Sequence, residues 1–274
     1  MSPPSELSAL LASWPDPDGA ALAVVRPNGV AGLAGDTGRV SRIASISKVV
    51  AALAALVAVE EGTIGLGDNA GPEHSTVRHL LAHASGLAFD EHRSIAPVER
   101  RRIYSNAGFE QLADHLAARA GMSFADYQHE AVIGSLAMPD TELRGSPAHG
   151  IVSSVDALTV LAAELLRPSI IDPTTLAEAT TIQYPELRGV VPGLGSFDPN
   201  PWGLGLEIRG HKDPHWTAPG NSPATFGHFG GTGTYLWVDP TIDVACVAIS
   251  GTDFGPWALD VWPTTNQAVV ERFG

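Results

Sequence analysis

The chain has 274 residues, a formal net charge of −14 and a pI near 5.0. Hydrophobic residues at 44% and charged residues at 17% exclude a disordered chain and suit a globular protein with a sizeable core. The acidic balance excludes binding along a DNA or RNA backbone, because no basic surface is spread over the chain.

The opening "MSPPSELSALLASWPDPDG" has no basic start and no long apolar segment. It does not read as a signal peptide, so a cytoplasmic protein is expected. "GAALAVVRPNGVAGLAGD" follows as two short strands around a Pro-Asn-Gly turn. A helix over about residues 45–61 comes next, closed by Gly62 and apolar on nearly every side, which marks a buried central helix. Its apolar run, residues 49–59, is too short to span a bilayer, and no membrane partner is expected. "STVRHLLAHASG", "NAGFEQLADHLAARAG", "SFADYQHEAVIGSLAM" and "SSVDALTVLAAELLRP" read as four further helices. "ERRRIY", between the first two, is the one basic cluster and reads as a solvated turn.

Residues 181–198 are rich in Pro and Gly and read as loops. "HKDPHW" (211–216) reads as a surface loop. "WGLGLEIRG", "GTYLWVDP" and "DVACVAISG" are strand candidates, and a terminal helix covers about residues 257–272. The single Cys246 lies inside the last strand, can form no internal disulfide, and reads as a small buried hydrophobe. The expected fold is α+β. An antiparallel sheet built from both termini and flanked by helices (residues 1–64 and 167–274) adjoins a mostly helical lobe (residues 65–166).

Ser45-Ile46-Ser47-Lys48 places a hydroxyl and an amine on one face at a helix start, while Ser47 points elsewhere. The chain holds only two lysines, Lys48 and Lys212, against fourteen arginines. A serine is a weak nucleophile until a base takes its proton, and a lysine with a pKa of about 10.4 is normally no base. Burial against the apolar run lowers that pKa, and the helix dipole disfavours an ammonium there. Taken alone, the pattern equally fits a lysine snorkelling from a helix end. Tyr104-Ser105-Asn106 stands directly before a helix. A phenol there can relay a proton and an amide can donate and accept, or Asn106 is an N-cap and Tyr104 a packing aromatic. His228-Phe229-Gly230 leads glycines into a strand, where backbone N–H groups become approachable.

Ser-x-x-Lys, Tyr-x-Asn and His-x-Gly in this order resemble the serine β-lactamase and penicillin-binding protein superfamily. The resembling branch holds class C-type β-lactamases, D,D-peptidases and family VIII carboxylesterases. "TVRHLLAHASGL", "GSPAHGIVSSVDAL" and "GTGTYLWVDP" are similar to further family segments, and the resemblance runs over about residues 41–251. It implies a β-lactamase/transpeptidase-like fold and Ser45 as the acylated nucleophile. Lys48 and Tyr104 are then the proton-transfer pair, with the base undecided between them. Asn106 orients Lys48 and the acyl side, and the N–H groups of Ser45 and Gly231 form the oxyanion hole. His228, Phe229 and Gly230 line the substrate.

Two departures stand out. Phe229 replaces a hydroxyl that holds a substrate carboxylate in β-lactamases and D,D-peptidases, and His228 replaces a permanent cation. Both favour a small neutral ester or amide. The chain is also shorter than is usual in this branch. The alternatives are a β-lactamase or D,D-peptidase acting on carboxylate-bearing substrates, and a catalytically silent binding protein of the same fold. His79 and His83 stand four apart, but "HLLAH" lacks the glutamate of a zinc-hydrolase helix, and polar capping is preferred. No metal or cofactor is expected, and the sequence sets no oligomeric state.

Overall fold

The computed structural model describes residues 6–274. α1 (Glu6–Leu11) leads into the hairpin of β1 (Ala21–Arg26) and β2 (Gly29–Gly35), with Gly29 at φ +121° supplying the turn. After β3 (Ser41–Arg42), a 3-10 turn (Ala44–Ile46) opens into α2 (Ser47–Glu60). α2 is buried without a break from Ser47 to Ala58, as its all-round apolarity requires, and Gly62 turns the chain at φ +75°.

α3 (Val77–Leu81), β4 (Arg102–Ile103), α4 (Asn106–Ala120) and α5 (Phe124–Gln128) follow. α5 runs on into a π-helical turn (His129–Gly134), and then come β5 (Glu142–Leu143), β6 (Ile151–Ser153), α6 (Val155–Leu166) and α7 (Pro173–Ala179). The last third carries β7 (Gly189–Val191), β8 (Gly195–Phe197), β9 (Glu207–Ile208) and β10 (Phe226–Gly230). β11 (Thr234–Asp239), β12 (Val244–Ile249) and α8 (Pro256–Phe273) complete it. The central sheet has the order β2-β1-β12-β11-β10-β9, so strands from both ends of the chain meet at the antiparallel β1–β12 pair. The α+β architecture expected from the sequence is present.

Alternation along the strands builds two cores. Ala21, Ala23 and Val25 of β1, Leu236 of β11 and Val247 of β12 face one cluster, which α2, α4 and α6 complete. Leu22, Val24, Trp237 and Cys246 face the other, which α1 and α8 cover. Both faces of β1, β10, β11 and β12 are therefore buried, while the edge strand β2 is largely exposed, and Cys246 is the buried hydrophobe expected.

Four local expectations need correction, the first being "ERRRIY", which is not all solvated turn, since Arg102 is buried and belongs to β4. The stretch 181–198 is not all loop, because β7 pairs in parallel with β4 and antiparallel with β8. Strands of three residues show no alternation to read, and β4 supplies the edge that orders them. "WGLGLEIRG" yields only the two residues of β9, since Gly205 at φ +78° turns the chain within it. In "HKDPHW", Lys212, His215 and Trp216 are buried, not on the surface.

β10 lies against the 3-10 turn so closely that Gly230 has no room for a side chain. A Cβ there would stand 2.4 Å from Thr234 Oγ1 and 2.5 Å from the Ile43 carbonyl. Gly230→Ala is expected to destabilise the fold by about 2 kcal/mol, read as a lower urea midpoint. An unchanged midpoint would contradict this packing.

Candidate active site

The 3-10 turn sets Ser45 between the sheet and α2. Ala44, immediately before it, has φ +46°, a conformation costly for a residue with a side chain. The surroundings hold it there: Thr234 Oγ1 donates to the Ile43 carbonyl at 2.9 Å and Thr232 Oγ1 to the Arg42 carbonyl at 2.7 Å. Ser47 faces away and accepts from the Ile151 N–H at 3.0 Å.

Lys48 is fully buried. Its Nζ lies 2.5 Å from Asn106 Oδ1, 2.8 Å from the Ala148 carbonyl and 3.4 Å from Ser45 Oγ. Two of these three are oxygens that only accept. A neutral amine has two N–H bonds and one lone pair, so the two acceptors take its hydrogens and the lone pair is left for the Ser45 hydroxyl. The Asn106 amide is fixed in this sense because its Nδ2 donates to Asp90 Oδ1 at 2.7 Å. Burial pulls the Lys48 amine down to about 7, and the carboxylates of Asp90 and Glu110 oppose that pull. The aromatic rings of Tyr104 and Phe109 lie 4.7 Å and 5.7 Å from Nζ.

Tyr104 closes the other side. Its hydroxyl stands 3.4 Å from His228 Nε2, and His228 Nδ1 is 2.6 Å from the Phe229 carbonyl. The carbonyl can only accept, so Nδ1 carries the ring proton and Nε2 presents a lone pair to the phenol. Burial, together with the Lys48 charge, pulls His228 down to about 4, so its ring is neutral at pH 7. Burial pushes the Tyr104 phenol well above its ordinary value, although a hydrogen bond with Ser45 works against this. Between Lys48 and Tyr104, it is the amine that is free of its extra proton near neutrality.

Ser45, Lys48, Tyr104, Asn106 and His228 are thus brought together. Ser105, not Asn106, is the N-cap of α4, its hydroxyl accepting from the Gly108 N–H at 3.0 Å. A Cβ on Gly231 would meet nothing within 4 Å, so its backbone borders open space. Phe229 differs from expectation: its ring packs among Phe254, Trp216 and Trp262 in the second core, 4.7 Å to 6.2 Å away between centroids.

Several contributors were not read from the sequence. The Ala148 carbonyl is a backbone group, and its only signal was its place in "GSPAHGIV". His83 is buried against Tyr104, Phe109 and Trp202, and accepts from the Ser105 N–H at 3.2 Å. Burial holds it well below its ordinary value and neutral. His79, its neighbour in "HLLAH", is the capping residue expected, accepting from the Thr76 N–H at 3.0 Å. The second lysine, Lys212, is also buried and pairs with Glu207 at 2.8 Å. Glu207 also binds His215 at 3.3 Å and the Trp216 N–H at 2.8 Å. Among the described residues no group of His, Cys, Asp and Glu could hold a metal ion.

The profile of the Beta-lactamase family matches residues 15–269, and the chain belongs to that family. A β-lactamase (Mb2281c) from Mycobacterium bovis shares 48% identity over 97% of this chain and 99% of its own, with a TM-score of 0.95. EstCE1, a hydrolase with promiscuous acyltransferase activity, has the same fold at 16% identity, covering 95% of this chain and 98% of its own, with a TM-score of 0.75. So does the octameric penicillin-binding protein homologue from Pyrococcus abyssi, at 18% identity, 93% and 73% coverage, and a TM-score of 0.74. Comparison with curated protein sequences returns no match.

With two lysines in the chain, isotope-labelled lysine gives two resolvable side-chain NMR signals. The Lys48 signal is expected to titrate near pH 7. Asp90→Asn should move that midpoint lower, since removing a nearby negative charge disfavours the ammonium. A Lys48 midpoint near the ordinary value of about 10.4 would contradict the assignment.

Proposed function

We propose that the protein is a serine hydrolase that cleaves small esters, and by extension amides, through an acyl-enzyme on Ser45. The observation that carries this is the Lys48 amine, buried, shifted to about 7 and 3.4 Å from Ser45 Oγ. Lys48 Nζ takes the Ser45 proton as Oγ bonds to the substrate carbonyl carbon. The N–H groups of Ser45 and Gly231 receive the oxyanion; such donors typically contribute about 3 kcal/mol each to the transition state. On collapse, the bond to the leaving oxygen breaks and that oxygen takes its proton from the Tyr104 hydroxyl, which is replenished from Lys48. Water then hydrolyses the acyl-enzyme by the reverse proton path. Asn106 holds the Lys48 hydrogens, and His228 accepts from Tyr104 while the phenol waits.

The packing of Phe229 supports a neutral substrate on the β10 side, since no side-chain hydroxyl is offered there. The 48% identity to a protein described as a β-lactamase favours a second reading, hydrolysis of β-lactams by the same acylation.

Incubation with a p-nitrophenyl ester and with an alkylphosphonate probe separates these. The ester should turn over, and mass spectrometry should find the phosphonyl adduct on Ser45. Ser45→Ala should lose both, and Lys48→Met should slow ester turnover by about a thousandfold. Unchanged turnover in Ser45→Ala would refute the proposal. Nitrocefin cleavage faster than ester cleavage would favour the second reading.

A further inference from the structure

The basic cluster "ERRRIY" is divided by the fold. Arg102 is buried and carries no ion pair among the described residues. Its guanidinium donates to the carbonyls of Asn200 and Gln183 at 2.7 Å each and of Tyr184 at 3.1 Å, and also to that of Ala82. These bonds fasten β4 to the loops around it. Parallel pairing of Arg102 with Gly189 and of Ile103 with Val190 brings β7 alongside, and Gly189 is required, since a Cβ there would lie 2.3 Å from the Arg102 carbonyl. The two paired strands line a cavity of about 440 Å³.

Its apolar lining comes from Ile103, Val190 and Pro192, and Tyr104 forms one wall. Arg101 and Arg188 also line it, and both are exposed. Neither makes an ion pair or side-chain hydrogen bond among the described residues, and no carboxylate lines the cavity. In a chain with thirty acidic and sixteen basic residues, two unpaired guanidinium groups around one acid-free cavity form a local positive site. The cavity shares with the site of acylation Tyr104, the residue that protonates the leaving oxygen in the proposed reaction.

We propose that this cavity holds the leaving group of the substrate, and that this leaving group is an apolar ring or short chain ending in an anion, a carboxylate in the simplest case. The inference rests on the ester-hydrolase reading. It moves anion recognition away from β10, where Phe229 cannot provide it, to the β4–β7 edge. Guanidinium forks match a carboxylate in shape as well as charge, and the apolar walls accept the body that carries it.

The test compares 4-butyryloxybenzoate, whose leaving group is anionic, with its neutral methyl ester, in the wild-type protein and in Arg101→Gln/Arg188→Gln. The ratio of kcat/KM for the anionic over the neutral ester should fall by about five- to tenfold in the double variant, as two partly exposed ion pairs predict. It should fall similarly for the wild type when salt is raised. An unchanged ratio in the double variant would overturn the inference while leaving ester hydrolysis intact. Turnover of neither ester, with no adduct on Ser45, would refute the ester reading itself. In that event calorimetry with 4-hydroxybenzoate still decides the cavity: binding by the wild type that the double variant loses supports it, and no binding overturns it.

Discussion

A primary amine buried without a counter-charge is an unusual thing to keep in a protein, and much of this structure is arranged to keep one. Among the described residues no carboxylate contacts Lys48, whose amine meets two acceptor oxygens, the Ser45 hydroxyl and two aromatic rings. Those acceptors dispose of its hydrogens and leave its lone pair to Ser45. The apolar length of α2 sets the burial that lowers its proton affinity, so a helix that looks merely structural also sets the acid–base chemistry of its first turn. Asp90 and Glu110 work in the opposite sense from a distance and keep the value near neutrality.

The rest of the site is held to that amine from three directions. β10 presses on the turn through Gly230, α4 presents Asn106, and the segment before β6 presents the Ala148 carbonyl. Each comes from a different part of the chain, which is why sheet strands from both termini must close around the helical segments before the site exists. The rings of His83 and His228, each packed against Trp202, are neutral and add no positive charge of their own beside Lys48. An added cation there would compete with Lys48 for the same low-dielectric space. A neutral His228, in place of the permanent cation that the family resemblance implies at this position, therefore bears on how easily Lys48 stays neutral.

What could be read in the sequence was whatever depends on local spacing. Ser45 and Lys48 share a helix face because of their three-residue separation, and Gly62 and Gly121 stop their helices as glycines do at positive φ. Asn106 and His228 joined them only through the order of motifs, since nothing local to either residue points at Lys48. Burial of polar groups was the blind spot. Arg102, Lys212 and His215 sit in segments whose composition suggests a wet surface, yet each is covered by loops folded back from elsewhere and satisfied by carbonyls or by Glu207. Phe229 was legible as a departure from the family, but not that its ring would pack away from the site.

In the proposed acylation Lys48, and not Tyr104, takes the first proton. The most direct measurement is the pH dependence of phosphonate labelling of Ser45, in the wild type and in Tyr104→Phe. Acylation needs the free amine, so the rate should rise as pH increases, bend near pH 7 and then level off, and the bend should persist in Tyr104→Phe at a reduced plateau. A bend that vanishes with the phenol, or a rate that keeps climbing through the ordinary tyrosine range of about 10, would contradict the account.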